Sequence, residues 1–196
     1  MRFLCSTTAI GRHNGDTVML TANHCLDKGV AYSVAFGDGL MRSAQVWKVP
    51  HYEADAEKMP RKYNEPDTDA ALFLMKGGED IPLARVAASS RDLTPGVPII
   101  MIGYPLGIAK ISYTGIIAGR LDLPGNNLDG YLLLQIFGAP GSSGSAVMDQ
   151  ETGQIIGVLV QAQQASVGLP VIFATPSEYF ENLSPVRGEG ETAPVK

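Results

Sequence analysis

Glycine and proline interrupt this chain at short intervals, and this spacing, which keeps the regular elements short, constrains the fold more than any other feature. They supply 22 and 13 of the 196 residues, and short apolar runs, often β-branched, lie between them. Such runs between turn formers predict β-strands. Helical patterns of about ten residues or more do not alternate with them, so the sequence predicts an all-β fold of antiparallel barrels or sandwiches. The candidate strands are residues 9–11, 17–21, 31–36, 44–49, 70–75, 98–102, 111–118, 131–136, 145–148, 155–160 and 170–174.

The composition excludes several classes of protein. Hydrophobic residues make up 45% of the chain, and no apolar run reaches the ~18 residues of a membrane-spanning helix, so we expect a soluble domain with no membrane partner. Lys and Arg number 15 against 20 Asp and Glu, a formal net charge of −5, so we expect no nucleic-acid partner. Two cysteines do not make a disulfide scaffold, so the core must supply most of the stability.

The first residues and one internal stretch are predicted to lie outside the core. Arg2 is followed by only two apolar residues before Cys5, too short a segment for a signal peptide, so we expect no export signal. The compartment stays open between a secreted or periplasmic location and a viral or intracellular one. Residues 50–68 are rich in charge and proline, which predicts a long surface loop.

One helix start is marked near the end of the chain. Thr175 suits the N-cap, Pro176 suits the first helical position, and Glu178 stands where a capping-box carboxylate reaches back. These residues predict a short C-terminal helix from Pro176 to about Leu183. Residues 184–196 are polar and contain Gly and Pro, so we expect a flexible tail.

Histidine is scarce, with three residues in the chain. His13 stands among turn formers and His51 within the charged stretch 50–68, so both are predicted to be solvated surface residues. His24 differs because it follows an apolar run, which places its imidazole where a strand ends at the rim of a barrel. From the residues alone, His24 is either a structural histidine or a catalytic base.

A cluster of small residues, Gly141-Ser142-Ser143-Gly144-Ser145, is the candidate nucleophile segment. A nucleophilic serine needs a hydroxyl projected from a tight turn and backbone N–H groups directed at a developing oxyanion. Glycines on both sides of Ser143 allow that turn, and the N–H groups of Gly141 and Ser143 are the candidates for the oxyanion hole. The alternative is an ordinary Gly-Ser loop, which is common in proteins.

Aspartate occurs twice before the apolar run at residues 70–75, as Asp67 and Asp69. A carboxylate directly before a strand is either a solvated capping residue or the group that orients a histidine. Asp69 is the better candidate because it adjoins the predicted strand. The order His24, Asp69, Ser143 is one of the known chain orders of a nucleophilic triad, found on an antiparallel double barrel.

These three segments resemble the motifs of trypsin-like serine peptidases, most closely those of the HtrA-type branch. Ile-Gly-Tyr-Pro-Leu-Gly at 102–107 is similar to that branch's Ile-Gly-Asn-Pro-Phe-Gly turn, and Thr-Gly-Ile-Ile-Ala at 114–118 to its Ser-Gly-Ile-Val-Ser strand. Phe-Ala-Thr-Pro-Ser at 173–177 is similar to the lead into its last helix. The motifs stand in the right order from about Cys5 to Leu183, which makes the resemblance specific.

The resemblance implies a chymotrypsin-like fold of two antiparallel β-barrels with the active site between them. One peptidase domain is expected at residues 1–183, with barrels at about 1–80 and about 95–183. It implies a serine endopeptidase that needs no cofactor and acts on a protein or peptide: Ser143 attacks the carbonyl, His24 moves the proton, and Asp69 orients the imidazole. An oligomer is compatible with the sequence but not indicated by it.

The specificity pocket departs from two familiar patterns. Cleavage after basic residues needs a carboxylate at the pocket base, where this chain has Phe137. Cleavage after Glu usually needs a histidine in the pocket wall, and residues 159–162 contain none. We therefore expect cleavage after small or apolar residues. The resemblance places the pocket at Phe137, Gly138, Val160, Gln161 and Ala162.

The two cysteines resemble the bridge that trypsin-like enzymes place across the histidine loop, since Cys25 follows His24 and Cys5 lies on the preceding strand. A disulfide and a pair of reduced, buried thiols are both open. A zinc site formed by Cys5, Cys25, His13 and His24 is disfavoured, because the spacing lacks paired C-x-x-C motifs and the metal would occupy the proposed base. We expect no metal.

HtrA-type proteins typically add a PDZ domain and form trimers. Only thirteen residues follow Leu183, so we expect no PDZ domain in this chain and no peptide-triggered regulation through one. A chymotrypsin-like first barrel also normally has a strand before the segment 5–10. That strand is expected to be removed by trimming or processing, supplied by another chain, or lost in a reduced barrel.

A different function is a binding or structural module that keeps the double barrel without cleaving. A related alternative is a zymogen-like domain whose oxyanion loop orders only with a partner or substrate. His24, Asp69 and Ser143 are all present, which favours the enzyme.

Overall fold

β-Strands make up nearly all the regular structure of this protein. The structure is a computed structural model that describes residues 5–26, 31–36, 39–48, 69–122, 130–164 and 170–179. Eleven strands and no α-helix occur in these ranges, and each predicted strand overlaps an observed one, so the predicted all-β class is confirmed. His51, Asp67, the stretch 50–68 and the tail 184–196 lie outside the described residues.

The first half of the molecule is an antiparallel sheet in the order β1-β2-β5-β4-β3. In the described part of the chain this sheet is open, with β1 and β3 at its edges. The central strands β2 and β5 are buried on both faces, which explains the continuously apolar sequence of β5 and the apolar run Val18–Leu20 in β2. The strands are β1 Thr8–His13, β2 Asp16–Thr21, β3 Tyr32–Ala35, β4 Met41–Lys48 and β5 Ala71–Met75.

The second half is a closed antiparallel barrel in the order β10-β11-β8-β7-β6-β9. Closure pairs every strand on both sides and removes free edges. The barrel interior is filled by apolar side chains such as Ile99, Leu134 and Ile172. The strands are β6 Pro98–Gly103, β7 Ile111–Arg120, β8 Leu132–Gln135, β9 Ala146–Asp149, β10 Ile155–Gln164 and β11 Pro170–Pro176.

A shared hydrophobic core joins the two halves. Leu20 of β2 and Leu72 of β5 pack in one cluster with Tyr131, Val158 and Phe173 of the second half. Alternate side chains of the same central strands face the other way and build a separate core within the first sheet. A sheet and a barrel packed in this way form the chymotrypsin-like fold that the resemblance implied. At the interface between them, the barrel loop that contains Ser143 contacts Ser6 of the first half.

The connection between the two halves is fixed to both of them. The Ala84 N–H donates to the Ala9 carbonyl at 2.9 Å, and the Ala87 N–H donates to the Ile155 carbonyl at 2.9 Å. Ile155 in turn donates its N–H to the Arg85 carbonyl at 2.8 Å. These bonds tie the connection to β1 on one side and to β10 on the other.

The C-terminal helix differs from the prediction at its start. Pro176 is the last residue of β11, and Ser177–Tyr179 form a single 3-10 turn, while residues 180–183 lie outside the described residues. Glu178 does not serve as a capping carboxylate, because one of its oxygens binds Ser90 in the connection between the two halves and the other binds Arg120 at the end of β7. Among the described residues, no helix is long and apolar enough to cross a membrane.

Candidate active site

Strand register brings His24 and Asp69 together. β2 and β5 are antiparallel neighbours, with Thr21 opposite Ala71. His24 lies in the 3-10 turn Asn23–Cys25 that follows β2, and Asp69 precedes β5. The end of one strand and the start of its neighbour meet at the same edge of the sheet, so residues distant in sequence become direct neighbours.

Both oxygens of the Asp69 carboxylate bind His24. Oδ2 lies 2.7 Å from Nδ1 of the imidazole, and Oδ1 accepts the backbone N–H of His24 at 2.9 Å. An ionised carboxylate only accepts hydrogen bonds, so Nδ1 carries a proton and Nε2 of the neutral ring is left to accept one. The Asp69 N–H donates to the Tyr131 hydroxyl at 3.3 Å, which ties the acid to the barrel.

The same contact changes the acidity of the imidazole. The hydrogen bond to Asp69 raises the pKa of His24 above its ordinary value, and the negative charge of that carboxylate adds to the effect, while partial burial opposes it. The His24 side chain keeps 46% of its surface exposed. Solvent and a ligand can therefore reach the ring.

Ser143 lies in the loop that joins β8 to β9, at the boundary between the two halves. Its Oγ donates to the Val160 carbonyl of β10 at 3.4 Å. No hydrogen bond links Ser143 with His24 in the part of the chain that the structure describes. The imidazole–carboxylate pair is thus assembled, and the serine hydroxyl is turned towards β10.

Two peptides in the loop around Ser143 are held by hydrogen bonds to their carbonyls, which fixes the direction of their N–H groups. The Leu106 N–H donates to the Pro140 carbonyl at 2.6 Å, and the Ser145 N–H donates to the Ser142 carbonyl at 3.0 Å. Because a trans peptide directs its N–H opposite to its carbonyl, these bonds fix the N–H groups of Gly141 and Ser143 on the other side. Neither of these two groups donates to another described residue.

Leu106 reaches its position in a strained backbone conformation. Its φ of +56° lies in the left-handed region, which costs a residue with a side chain about 1–2 kcal/mol. The side chain is 61% exposed, so burial of the leucine does not offset this cost. What Leu106 contributes is its N–H group, directed at the Pro140 carbonyl.

The residues predicted to line the specificity pocket differ in their exposure and in what they contact. Phe137 is 55% exposed, and its ring centroid lies 4.9 Å from that of Tyr113. Val160 is buried, and Gly138 lies so close to the Ile172 side chain that a Cβ would meet it at 2.8 Å. The backbones of Gln161 and Ala162 pair with β11, and their side chains lie outside the description.

Cys5 and Cys25 form a disulfide, with Cα atoms 6.1 Å apart. Of the two states that the sequence left open, the structure has the oxidised one. The donor atoms of Cys5, His24 and Cys25 lie within 4.8 Å of one another. Metal binding by cysteine requires the thiolate, so the oxidised pair does not fit a metal centre.

His13 ends β1, beside a hairpin turn, with Nε2 3.2 Å from the Asn14 amide.

Sequence reasoning missed Ser6 and Leu106. Both hydrogen-bond the loop of Ser143, and the Ser6 side chain is 3% exposed. A serine beside a cysteine before a predicted strand carries no local signal of such a role. The Pro-Leu-Gly segment at 105–107 offered a weak signal, because its proline and glycine predict a turn that interrupts an apolar run.

Comparisons with known proteins agree on the kind of domain. The family model described as "Trypsin-like peptidase domain" matches residues 5–158. The solved structure of the HtrA-type protease AlgW with a decapeptide is similar with a TM-score of 0.68 and 24% identity, over 90% of this chain and 49% of that one. A serine endoprotease from Yersinia pestis is similar with a TM-score of 0.63 and 18% identity, over 91% of this chain and 55% of that one.

These likenesses to solved structures concern the fold. The chain spans about half the length of the two proteins. No curated protein matches the sequence.

Proposed function

Because the chain belongs to the family of trypsin-like peptidase domains, we propose that it is a serine endopeptidase that hydrolyses peptide bonds in proteins or peptides. The observation that carries the proposal is the two-point attachment of the Asp69 carboxylate to His24, at 2.7 and 2.9 Å. This arrangement selects the tautomer that can take a proton at Nε2. The decapeptide bound to the similar protease AlgW supports a peptide ligand.

Acylation begins at the serine hydroxyl. Ser143 Oγ attacks the carbonyl carbon of the substrate, and its proton passes to Nε2 of His24. Asp69 stabilises the resulting imidazolium through Nδ1. The carbonyl oxygen becomes an oxyanion and accepts hydrogen bonds from the N–H groups of Gly141 and Ser143. The carbon–nitrogen bond then breaks, and the leaving amine takes the proton from His24.

Deacylation repeats the same chemistry with water. A water molecule attacks the acyl carbon while His24 accepts one of its protons. The bond to Ser143 Oγ breaks, the hydroxyl recovers the proton from His24, and the product leaves as a carboxylic acid. Each half-reaction returns the imidazole to its neutral form, so no cofactor is consumed.

The serine must turn before it can react. Its Oγ donates to the Val160 carbonyl at 3.4 Å, a long and therefore weak hydrogen bond. Rotation about the Cα–Cβ bond frees the proton for Nε2 of His24, and catalytic hydrogen bonds are often loose before substrate binds. The same observation favours the second candidate, a module that does not cleave or that needs a partner to complete its site.

Labelling with a fluorophosphonate separates these two candidates. The probe forms a phosphonate ester with the nucleophilic serine, releases fluoride, and requires a working histidine and oxyanion hole. We expect labelling of the wild type at Ser143 and none of Ser143→Ala, whose turnover should fall by roughly five to six orders of magnitude. Ser145→Ala is the matched control, because the buried Ser145 hydroxyl lacks a hydrogen-bond partner among the described residues. An unlabelled wild type that is correctly folded would favour the second candidate.

The preference before the scissile bond is proposed to be for small or apolar residues. The resemblance assigns Phe137 to the position at which a basic preference requires a carboxylate. Its exposed ring offers an apolar contact. Digestion of a defined peptide mixture, with the new C-termini identified by mass spectrometry, tests this preference. Cleavage chiefly after Lys, Arg or Glu would contradict it without affecting the assignment as a peptidase.

A further inference from the structure

Ser6 precedes β1 and contacts both halves of the molecule. Its backbone N–H donates to the Ser143 carbonyl at 2.7 Å. Its own carbonyl accepts the Thr21 hydroxyl at 2.9 Å, in the first sheet. The residue is buried, with 3% of its surface exposed. Ser6 therefore links β2 directly to the loop of the proposed nucleophile.

The Ser6 hydroxyl makes two hydrogen bonds whose directions follow from chemistry. Oγ accepts the Tyr104 N–H at 2.8 Å and donates to the Gly141 carbonyl at 2.8 Å. A backbone N–H only donates and a carbonyl only accepts, so the single hydroxyl proton points at Gly141. The hydroxyl is thereby committed to holding the Gly141–Ser142 peptide.

Ser6 completes a run of four carbonyls, at residues 140–143, that all accept hydrogen bonds. Leu106 and Ser145 hold the first and the third, and Ser6 holds the second through Oγ and the fourth through N–H. Since each peptide is planar, a fixed carbonyl also fixes the N–H on its opposite side. Leu106 and Ser145 thus fix the N–H groups of Gly141 and Ser143 directly, and Ser6 holds the Gly141–Ser142 peptide that connects these two peptides.

Gly141 is the residue that most needs such support. Its φ of +91° is accessible to glycine, which also populates many other conformations at low cost. A Cβ at this position would meet the Tyr104 carbonyl at 2.8 Å, so a less flexible residue does not fit. Both peptides that flank Gly141 are held by their carbonyls, one by Leu106 and one by the Ser6 hydroxyl.

We propose that Ser6 is a positioning residue whose hydroxyl holds the Gly141–Ser142 peptide, and through it the two N–H groups of the oxyanion hole, in the orientation that stabilises the transition state. This inference rests on the proposed peptidase function. It adds Ser6, from the N-terminal segment, to the three residues proposed for the reaction, His24, Asp69 and Ser143. Ser6 acts through the loop and does not touch the substrate.

Ser6→Ala and Thr7→Val form a matched pair for the test. Ser6→Ala removes the hydroxyl without adding bulk, and leaves the backbone bond to Ser143 in place. Thr7→Val removes the neighbouring hydroxyl, which donates to the Leu20 carbonyl at 2.9 Å within the first sheet. Both variants lose one hydrogen-bonding hydroxyl of the same segment, and only one loses a contact with the loop.

Kinetics with a peptide substrate distinguish positioning from a general structural role. Removing an oxyanion-hole donor lowers kcat by about 10²–10³, and a misaligned donor should lower it by about 10- to 100-fold in Ser6→Ala. KM should stay within about threefold, because the lost interaction is made in the transition state. A peptidyl trifluoromethyl ketone, which forms an oxyanion when Ser143 adds to it, should bind Ser6→Ala weaker by the factor by which kcat/KM falls. Thr7→Val should match the wild type in each measurement.

The outcomes separate the inference from the proposed function. An active wild type with Ser6→Ala equal to Thr7→Val in kcat would overturn the role of Ser6 and leave the peptidase assignment intact. If the wild type neither reacts with fluorophosphonate nor cleaves peptides, the peptidase assignment fails instead. Crystal structures of the wild type and Ser6→Ala then decide the inference: a rotated Gly141–Ser142 peptide in Ser6→Ala supports it, and an unchanged one overturns it.

Discussion

Replacing Gly144 by alanine tests how closely the nucleophile loop is packed against the N-terminal segment. Gly144 has a φ of +82°, and its N–H donates to the Leu159 carbonyl at 2.7 Å. An added Cβ would fall on the Ser6 carbonyl oxygen and the Thr21 hydroxyl, and would meet the Ala22 nitrogen at 3.2 Å. Two of these three atoms belong to the backbone and cannot rotate away.

The expected loss of stability has two physical sources. The left-handed backbone costs a residue with a side chain about 1–2 kcal/mol. Forcing a methyl group into packed backbone typically costs about 1–3 kcal/mol more. We therefore expect Gly144→Ala to lower the free energy of unfolding by about 2–5 kcal/mol, which for a chain of this size lowers Tm by about 4–20 °C.

Gly153→Ala is the matched control for the backbone contribution. Gly153 has a φ of +68°, and an added Cβ would have no atom within 4 Å. This variant should lose only about 1–2 kcal/mol, the cost of the backbone conformation alone. The difference between the two variants measures the contact between Gly144 and the segment at Ser6.

Urea unfolding followed by circular dichroism gives the required free energies. The slope of the free energy of unfolding against urea concentration should be the same for the wild type and both variants, so that differences in the urea midpoint report differences in stability. A Gly144→Ala protein as stable as Gly153→Ala would refute the reasoning, because it would mean that the loop does not lie against the Ser6 carbonyl.

Two further substitutions test the charges of the structure. Asp69→Asn should lower kcat by about 10⁴, because it no longer selects the working tautomer of His24. Since Asp69 raises the pKa of His24, and the neutral ring is the active form, the acidic limb of kcat/KM should move to lower pH; an unmoved limb would contradict the pairing. Glu178→Gln tests the buried pair with Arg120, 2.9 Å apart, whose hydrogen bonds hold the pKa of Glu178 below its usual 4.5 despite burial. A lowered folded pKa stabilises the protein above about pH 4.5 and loses that effect as pH falls through the folded value. The variant should therefore be about 1–3 kcal/mol less stable at pH 7 and flatter in stability between about pH 5 and 3. Urea midpoints that change with pH as steeply as those of the wild type would contradict this account.

Local patterns predicted much of the molecule. Short apolar runs between glycines and prolines predicted the strands, because a strand's alternation and its turn residues are encoded within a few consecutive positions. The long-range motif order identified the family and the fold. The domain bounds, the roles of His24, Asp69 and Ser143, and the specificity pocket stay predictions for the experiments above.

Other features depend on residues that are distant in the chain. Glu178 stood in a capping-box pattern, yet it binds Ser90 and Arg120, because a buried carboxylate is stabilised more by a guanidinium and N–H donors than by one helical N–H. The direction of the Ser143 hydroxyl is similarly set by β10, which lies beside it only in the folded barrel.

The sequence by itself determined the strand pattern and the candidate chemical groups, which short contiguous segments encode, and the family, which the order of those segments along the chain identifies. Only the tertiary structure decided the oxidised state of Cys5 and Cys25, the pairing of His24 with Asp69, and the attachment of Ser6 to the nucleophile loop. The physical reason is that hydrogen bonds and disulfides depend on distances of a few ångströms between groups. Those distances are set by strand register and barrel closure, which no local stretch of sequence contains.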